Sequence, residues 1–174
     1  MYKYILILSA LLLFSACQDN TPGPAEEMSK EKLLTTPLPG YQWFYSTYTN
    51  YTPNDSIMNL IKSTFDLTKD TIIIFSKPAC SCGDIEAESF AQLVKIFDVA
   101  GIPESNYKIY SMSSIKSSHP YSKRFELNQL PTYIVTSSGT PVYSIYDTIF
   151  VEEAKSEPYI KSIEAYLLLG LEKL

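Results

Sequence analysis

The order of residues predicts an α/β protein: a mixed β-sheet flanked by helices on both faces. Three observations lead there. Thr71 to Phe75 is an uninterrupted apolar run bounded by Lys69-Asp70 and Pro78, as expected of a strand buried on both sides. Ile85 to Ala100 follows with Ile85, Phe90, Leu93, Val94 and Phe97 at helical spacing, closed by Gly101-Ile102-Pro103. Pro131 to Thr136 and Val142 to Tyr146 then read as two strands joined through Ser137-Ser138-Gly139-Thr140, a hairpin turn. Alternating units followed by a hairpin imply parallel and antiparallel pairing in one sheet.

The remaining elements follow in chain order. Met1-Tyr2-Lys3, the apolar stretch Tyr4 to Phe14 and the small residues Ser15-Ala16 describe a secretory signal. The stretch is shorter than the roughly twenty apolar residues of a membrane-spanning helix. From Gln18 to Gly40 prolines, glycines and charges alternate without period, which reads as a flexible tether. Tyr41 to Tyr51, dense in aromatics and threonine, reads as a strand. Asp55 or Ser56 caps a helix with Ile57, Leu60, Ile61 and Phe65 on one face. Tyr107 to Met112 is a strand and Ser117 to Leu127 a short helix. Pro158 starts a terminal amphipathic helix carrying Ile160, Ile163, Tyr166, Leu167 and Leu171. The chain thus divides into a leader (1–16), a tether (17–40) and one folded domain (41–174).

Leu13-Phe14-Ser15-Ala16-Cys17 resembles a bacterial lipobox, which implies lipid on Cys17 and a domain held at a bacterial membrane, facing the periplasm or cell surface. Cysteine arithmetic agrees. Of three cysteines, lipid on Cys17 leaves Cys80 and Cys82, an even number in a compartment that permits disulfides. Without the leader and its Lys3, about 158 residues remain and the formal charge moves from −5 to −6. That balance argues against a basic face for nucleic acid; the membrane would be reached through acyl chains.

Cys80-Ser81-Cys82 lies between the apolar run and the long helix, and Leu130-Pro131-Thr132 opens a later strand. In this order the chain resembles the thioredoxin-like family, from about Tyr41 onward and most closely between Thr71 and Tyr146. The resemblance implies that Cys80 is the nucleophile, Cys82 the resolving cysteine and Pro131 a cis-proline. Leu130 would then offer its backbone to an extended substrate chain.

The residues supply their own physical reasons. Ser81 as N-cap with Asp84 three residues on forms a capping box, which sets both thiols at a helix start where N–H groups favour a thiolate. Lys77 adds positive potential; Asp84, Glu86 and Glu88 oppose it. A proline leading a strand leaves an edge for a docking backbone.

The motif departs from the family in having one residue between its cysteines. Its disulfide closes a ring of about eleven atoms rather than about fourteen, away from relaxed geometry. Strain of that kind favours the dithiol and makes the oxidised pair a stronger oxidant or an easily exchanged bond. Ala79 stands where the family carries tryptophan, and Thr71 to Phe75 lacks its buried acid.

The expected activity is thiol–disulfide exchange on protein substrates, with an exported or membrane redox partner and no organic cofactor. Two alternatives use the same residues: a binding lipoprotein stapled by the pair, and a Cu(I) carrier using two thiolates. His119, the only histidine, reads as a solvated residue before Pro120 rather than a third ligand, and no metal site is assigned. The aromatic patch of Tyr41, Trp43, Phe44, Tyr45, Tyr48 and Tyr51 reads as an edge strand packing some rings on the core.

Overall fold

Five strands order themselves β1-β3-β2-β4-β5 in one mixed sheet. The computed structural model describes residues 22–78, 85–145, 148 and 161–174. The strands are β1 (Glu26–Met28), β2 (Asp70–Ser76), β3 (Tyr107–Ser111), β4 (Thr132–Ser137) and β5 (Thr140–Ser144). The helices are α1 (Lys30–Thr35), α2 (Phe44–Asn50), α3 (Asp55–Thr64), α4 (Ile85–Ala100) and α5 (Ile163–Leu171). β2 and β3 are parallel across the α4 crossover; β2–β4, β4–β5 and β1–β3 are antiparallel. The mixed α/β class expected from the sequence therefore holds.

β2 is central, as its continuous apolar run requires. Its alternate side chains feed two separate cores. Ile72 and Ile74 join Tyr133, Val135, Tyr107 and Ile109 beneath the helices. Ile73 and Phe75 join Tyr110, Met112, Leu127 and Ile134 on the opposite face. Full burial of such side chains contributes about 1.5–3 kcal/mol each, whereas the exposed pairs Lys32–Glu26 and Lys108–Glu27 contribute about 0–1 kcal/mol. Packing onto β2 therefore dominates.

Among the described residues the two faces are covered differently, which corrects the expectation of helices on both. Among the described residues every α-helix contributes to the first core, none to the second. The helix expected over Ser117–Leu127 is instead a run of turns and irregular chain that lays Tyr121, Phe125 and Leu127 on the second core. The reason is local. His119 precedes Pro120, which disfavours helical backbone at that residue. The Ser122 hydroxyl accepts from His119 N at 3.1 Å and donates to His119 O at 2.7 Å, substituting for helical bonds.

Three other expectations are corrected. The segment assigned as tether folds in part: β1 pairs with β3 through Glu26↔Ser111, Glu27↔Tyr110 and Met28↔Ile109, and α1 buries Leu33 behind a Ser29 cap. Only Met28 of β1 is buried, so the strand comes from its partner rather than from its own composition. Tyr41–Tyr51 is not a strand; Phe44–Asn50 is helical, because Phe44, fully buried, and Trp43 pack on Phe90 of α4. Helix α3 is capped one residue earlier than expected, by Asn54, whose side chain accepts from Ser56 N and Ile57 N, and Leu60 points outward, 52% exposed.

The hairpin turn holds. Ser138 (φ 50°) and Gly139 (φ 78°) both take positive φ, the mark of the tight turn that matches strand twist. The terminal helix begins at Ile163; Pro158, Tyr146 and the leader lie outside the described residues.

Helix α5 is held by two contacts that yield predictions. Buried Glu164 accepts from the Tyr51 hydroxyl and, at 3.2 Å, from Asn54 N. Glu164→Leu should strand both donors and cost about 1–3 kcal/mol in urea unfolding, with Glu164→Gln costing less; equal stability of Leu and parent would refute the clasp. At Gly170 a Cβ would meet Tyr143 Cδ1 at 2.6 Å and Val135 Cγ2 at 3.1 Å. Gly170→Ala should lower stability by about 1–3 kcal/mol through overpacking, with an unchanged urea m-value.

Candidate functional site

The described residues that flank the expected site lie around the C-terminal end of β2. β2 ends at Ser76, Lys77 and Pro78 continue the chain, and α4 begins at Ile85. Cys80 and Cys82 fall in that interval and, like Cys17 and the Ser81 cap, lie outside the described residues. Cys80 follows Pro78 by two residues in the chain.

Leu130 and Pro131 arrive at the same end from β4. Thr132 is the register partner of Phe75, one residue before the end of β2. Pro131 therefore stands beside the β2 exit. The Leu130–Pro131 bond is cis, and the Thr132 hydroxyl donates to Gln129 O at 2.7 Å, closing the turn ahead of it. Pro131 is buried and Leu130 half-buried against the second core. Pairing with β5 runs from Ile134 to Ser137, beyond this turn.

Hydroxyl groups gather at the same end of the sheet. Ser76 is buried, and its carbonyl accepts from Met112 N at 2.8 Å. The buried Tyr41 hydroxyl bonds Ser111 Oγ at 3.0 Å. Burial pushes the Tyr41 phenol upward, with Glu26 adding to the shift and the two serines opposing it. It is thus neutral at ordinary pH. Behind β4, Ser89 of α4 and Tyr133 share a buried hydroxyl contact of 2.9 Å.

Gly40 completes this surround. It has φ +79°, and a Cβ there would lie 2.6 Å from Pro78 Cβ and 2.9 Å from Pro78 Cα. Gly40 and Tyr41 were not among the expected site residues. Pro39-Gly40 carried a turn signal, but nothing in the sequence tied that turn to Pro78 some forty residues later.

His119 is not the solvated side chain expected. Its ring meets Phe75 edge-on at 4.8 Å and stacks near Phe125 at 5.9 Å. Its Nδ1 is buried with no hydrogen-bond partner among the described residues. Burial lowers its pKa from the ordinary histidine value. The ring borders a cleft of about 310 Å³ shared with Lys116, Ser117, Ser122, Phe125 and Glu126. Among the described residues, no group of three or more His, Cys, Asp or Glu gathers to hold a metal ion. No described helix is long and apolar enough to cross a membrane.

Compared with known families, curated proteins and solved structures, the chain matches none.

The lowered pKa of His119 sets a pH dependence. The folded chain favours the neutral ring, so its contribution is intact above the unfolded value of about 6.5 and erodes as pH falls through it. Urea midpoints measured from pH 7.5 to 5 should fall more steeply for the parent than for His119→Phe. Parallel profiles would show that the ring is not desolvated.

Proposed function

We propose that this chain is an exported, lipid-anchored thiol–disulfide oxidoreductase of thioredoxin-like architecture, acting through Cys80 and Cys82. The observation that carries the reading is the register of β4 on β2. Thr132 faces Phe75, so the Leu130-Pro131 turn stands beside the strand exit from which the chain runs two residues past Pro78 to Cys80. A parallel β2–α4–β3 crossover followed by an antiparallel β4–β5 hairpin supports the same architecture. The antiparallel β1 and, among the described residues, the one-sided helical layer depart from that architecture.

The chemistry balances within the pair and its substrate. The Cys80 thiolate attacks one sulfur of a substrate disulfide, forming a mixed disulfide and expelling a substrate thiolate, which takes a proton. Cys82, having given up its proton, attacks Cys80 Sγ. The Cys80–Cys82 bond forms, the mixed disulfide breaks, and the second substrate thiolate leaves. Two electrons pass from the pair to the substrate; the reverse sequence oxidises a substrate dithiol. A partner dithiol or disulfide at the membrane resets the pair. Leu130 would offer its backbone to the substrate chain beside Pro131, and lipid on Cys17 would hold the domain at a bacterial membrane.

The parent protein should catalyse oxidation of a reduced model dithiol protein or reshuffling of a mispaired one, and Cys80→Ser should fall to the uncatalysed background. Cys82→Ser should accumulate the mixed disulfide, visible on a non-reducing gel. A Cys80–Cys82 potential below about −300 mV, typical of structural bridges, would refute the reading. So would tight Cu(I) binding by a pair that forms no disulfide.

A further inference from the structure

We infer that the segment from Ser117 to Leu127 is an acid-released flap: protonation of His119 lifts it from the second core while the helical face of the sheet stays closed. The inference goes beyond the proposed function and does not rest on it.

The flap is fastened mainly by rings. Tyr121 and Phe125 stack on each other at 5.7 Å and meet Phe75 of β2 edge-on, at 6.4 and 6.0 Å. Tyr121 also meets Tyr110 of β3 at 6.0 Å, and Leu127 is buried in the same core. Two hydrogen bonds tie the flap to distant chain. Ala25 N donates to Ser118 O at 2.8 Å, and Arg124 Nη1 to Gly139 O at 3.3 Å. Other bonds close within it, from Ser122 N to His119 O at 3.1 Å and from Arg124 N to Tyr121 O at 2.8 Å. A surface segment held this way opens as a unit at less cost than a core strand or helix.

His119 joins the flap to the sheet through a contact that tolerates only the neutral ring. The ring lies 4.8 Å from Phe75 and 5.9 Å from Phe125. Its Nδ1 is buried and has no hydrogen-bond partner among the described residues. With its proton on Nε2, a neutral imidazole leaves one acceptor unmade there. Imidazolium carries N–H on both nitrogens, so protonation strands a donor of a charged group among apolar rings. Ser117 is buried beside the same cleft, and its Oγ is likewise unpartnered among the described residues. Opening the flap gives both atoms water. The cleft of about 310 Å³ leaves the ring room to turn that way.

No described charge compensates the cation in place. Lys116, Lys123, Arg124 and Glu126 are all exposed. The elements packed on the flap present Phe75 from β2, Tyr110 from β3 and Ala25 from the chain before β1. Burial pushes the Tyr110 phenol upward, so it carries no charge. The lowered pKa of His119 has burial as its cause, with no carboxylate opposing it. Release would uncover Phe75 and Tyr110, the aromatic face of the sheet on which Leu130 also packs.

The experiment follows amide exchange in the parent protein by NMR at pH 7.5 and pH 5, with and without low urea. Protection factors are corrected for the intrinsic pH dependence. Ala25, Ser122 and Arg124 amides report the flap, and Leu93 and Val94 report α4. His119 is the only histidine, so its ring signals give one titration midpoint. Flap amides should be less protected than those of α4 and insensitive to low urea, the mark of local opening. Their protection should fall about tenfold between the two pH values, and the ring midpoint should lie below the ordinary 6.5. His119→Phe should abolish that fall.

A common protection and urea slope for flap and α4 would overturn the inference, because the flap would then open only with the whole fold. So would flap protection indifferent to pH, a ring midpoint at or above 6.5, or an undiminished fall in His119→Phe. Should that variant fail to fold, the parent's own contrast between flap and α4 and its ring midpoint still decide.

Discussion

The pairing of β2 on both of its sides, with both of its faces buried, is the constraint on which the rest of the molecule depends. A strand enclosed this way has no polar face to offer water, and a slip of one residue would exchange Ile72 and Ile74 with Ile73 and Phe75 between two differently shaped cores. Its register against β3 and β4 is therefore unique. At its N-terminal end the lock is polar: buried Asp70 accepts from Asp66 N and the Ser137 hydroxyl, and Asn106 Nδ2 donates to Asp70 O. At the other end that register fixes which residues surround the strand's exit, namely Thr132 across from Phe75, with Ser111 paired to Ser76.

The two layers on this sheet are built by different means. The helical face is held by large aliphatic and aromatic side chains, fully buried and reinforced by links between distant segments. Tyr48 donates to Asp98, which also pairs with Lys30 at 2.6 Å, tying α1 and α2 to α4. Burial and the neighbouring carboxylate push the Tyr48 phenol up to about 12, so it stays a donor. The opposite face is closed by turns, whose rings form a chain from Phe75 through Phe125 to Tyr121 and back to Tyr110. Each such contact contributes about 0.5–1.5 kcal/mol beyond area burial. Aromatic stacking here substitutes for the regularity a helix would have supplied.

Elements with strong internal periodicity were legible in the sequence. Ile85–Ala100 was found residue for residue, and Thr71–Phe75 was found to within one residue at each end. The hairpin was legible because Ser138-Gly139 is itself the cause of the turn. Two of the misses share one physical origin, tertiary contact overriding local preference, whereas Ser117–Leu127 departs from helix for the local reasons of Pro120 and Ser122. The aromatics of Tyr41–Tyr51 favour strand in isolation, yet Phe90 recruits them as a helix face. Glu26–Met28 carries no strand signal and is a strand because β3 lies beside it. At the site, Pro131 was legible from its place before a strand. Gly40 and Tyr41 were not, since their partners Pro78 and Ser111 are distant in sequence and no pattern links them.

The described groups gathered at the β2 exit include the neutral hydroxyls of Ser76, Ser111 and Tyr41, and this has a chemical consequence on the proposed reading. A buried carboxylate beside a thiol serves as a base, but it also repels the thiolate it helps to create. Ser76, Ser111 and Tyr41 carry no charge at ordinary pH. Hydroxyls of this kind donate to an anion without opposing it. Glu88, the one described acid on the first turn of α4, is exposed, so solvent screens its repulsion. Lys77 adds attraction from the strand side. An environment that stabilises a thiolate would stabilise the reduced pair, and the short Cys-x-Cys ring expected from the sequence would destabilise an oxidised one. Both effects act in the same direction, toward a pair that readily gives its disulfide away. If the proposed exchange is this chain's activity, these effects would favour oxidising or reshuffling a substrate over reducing it.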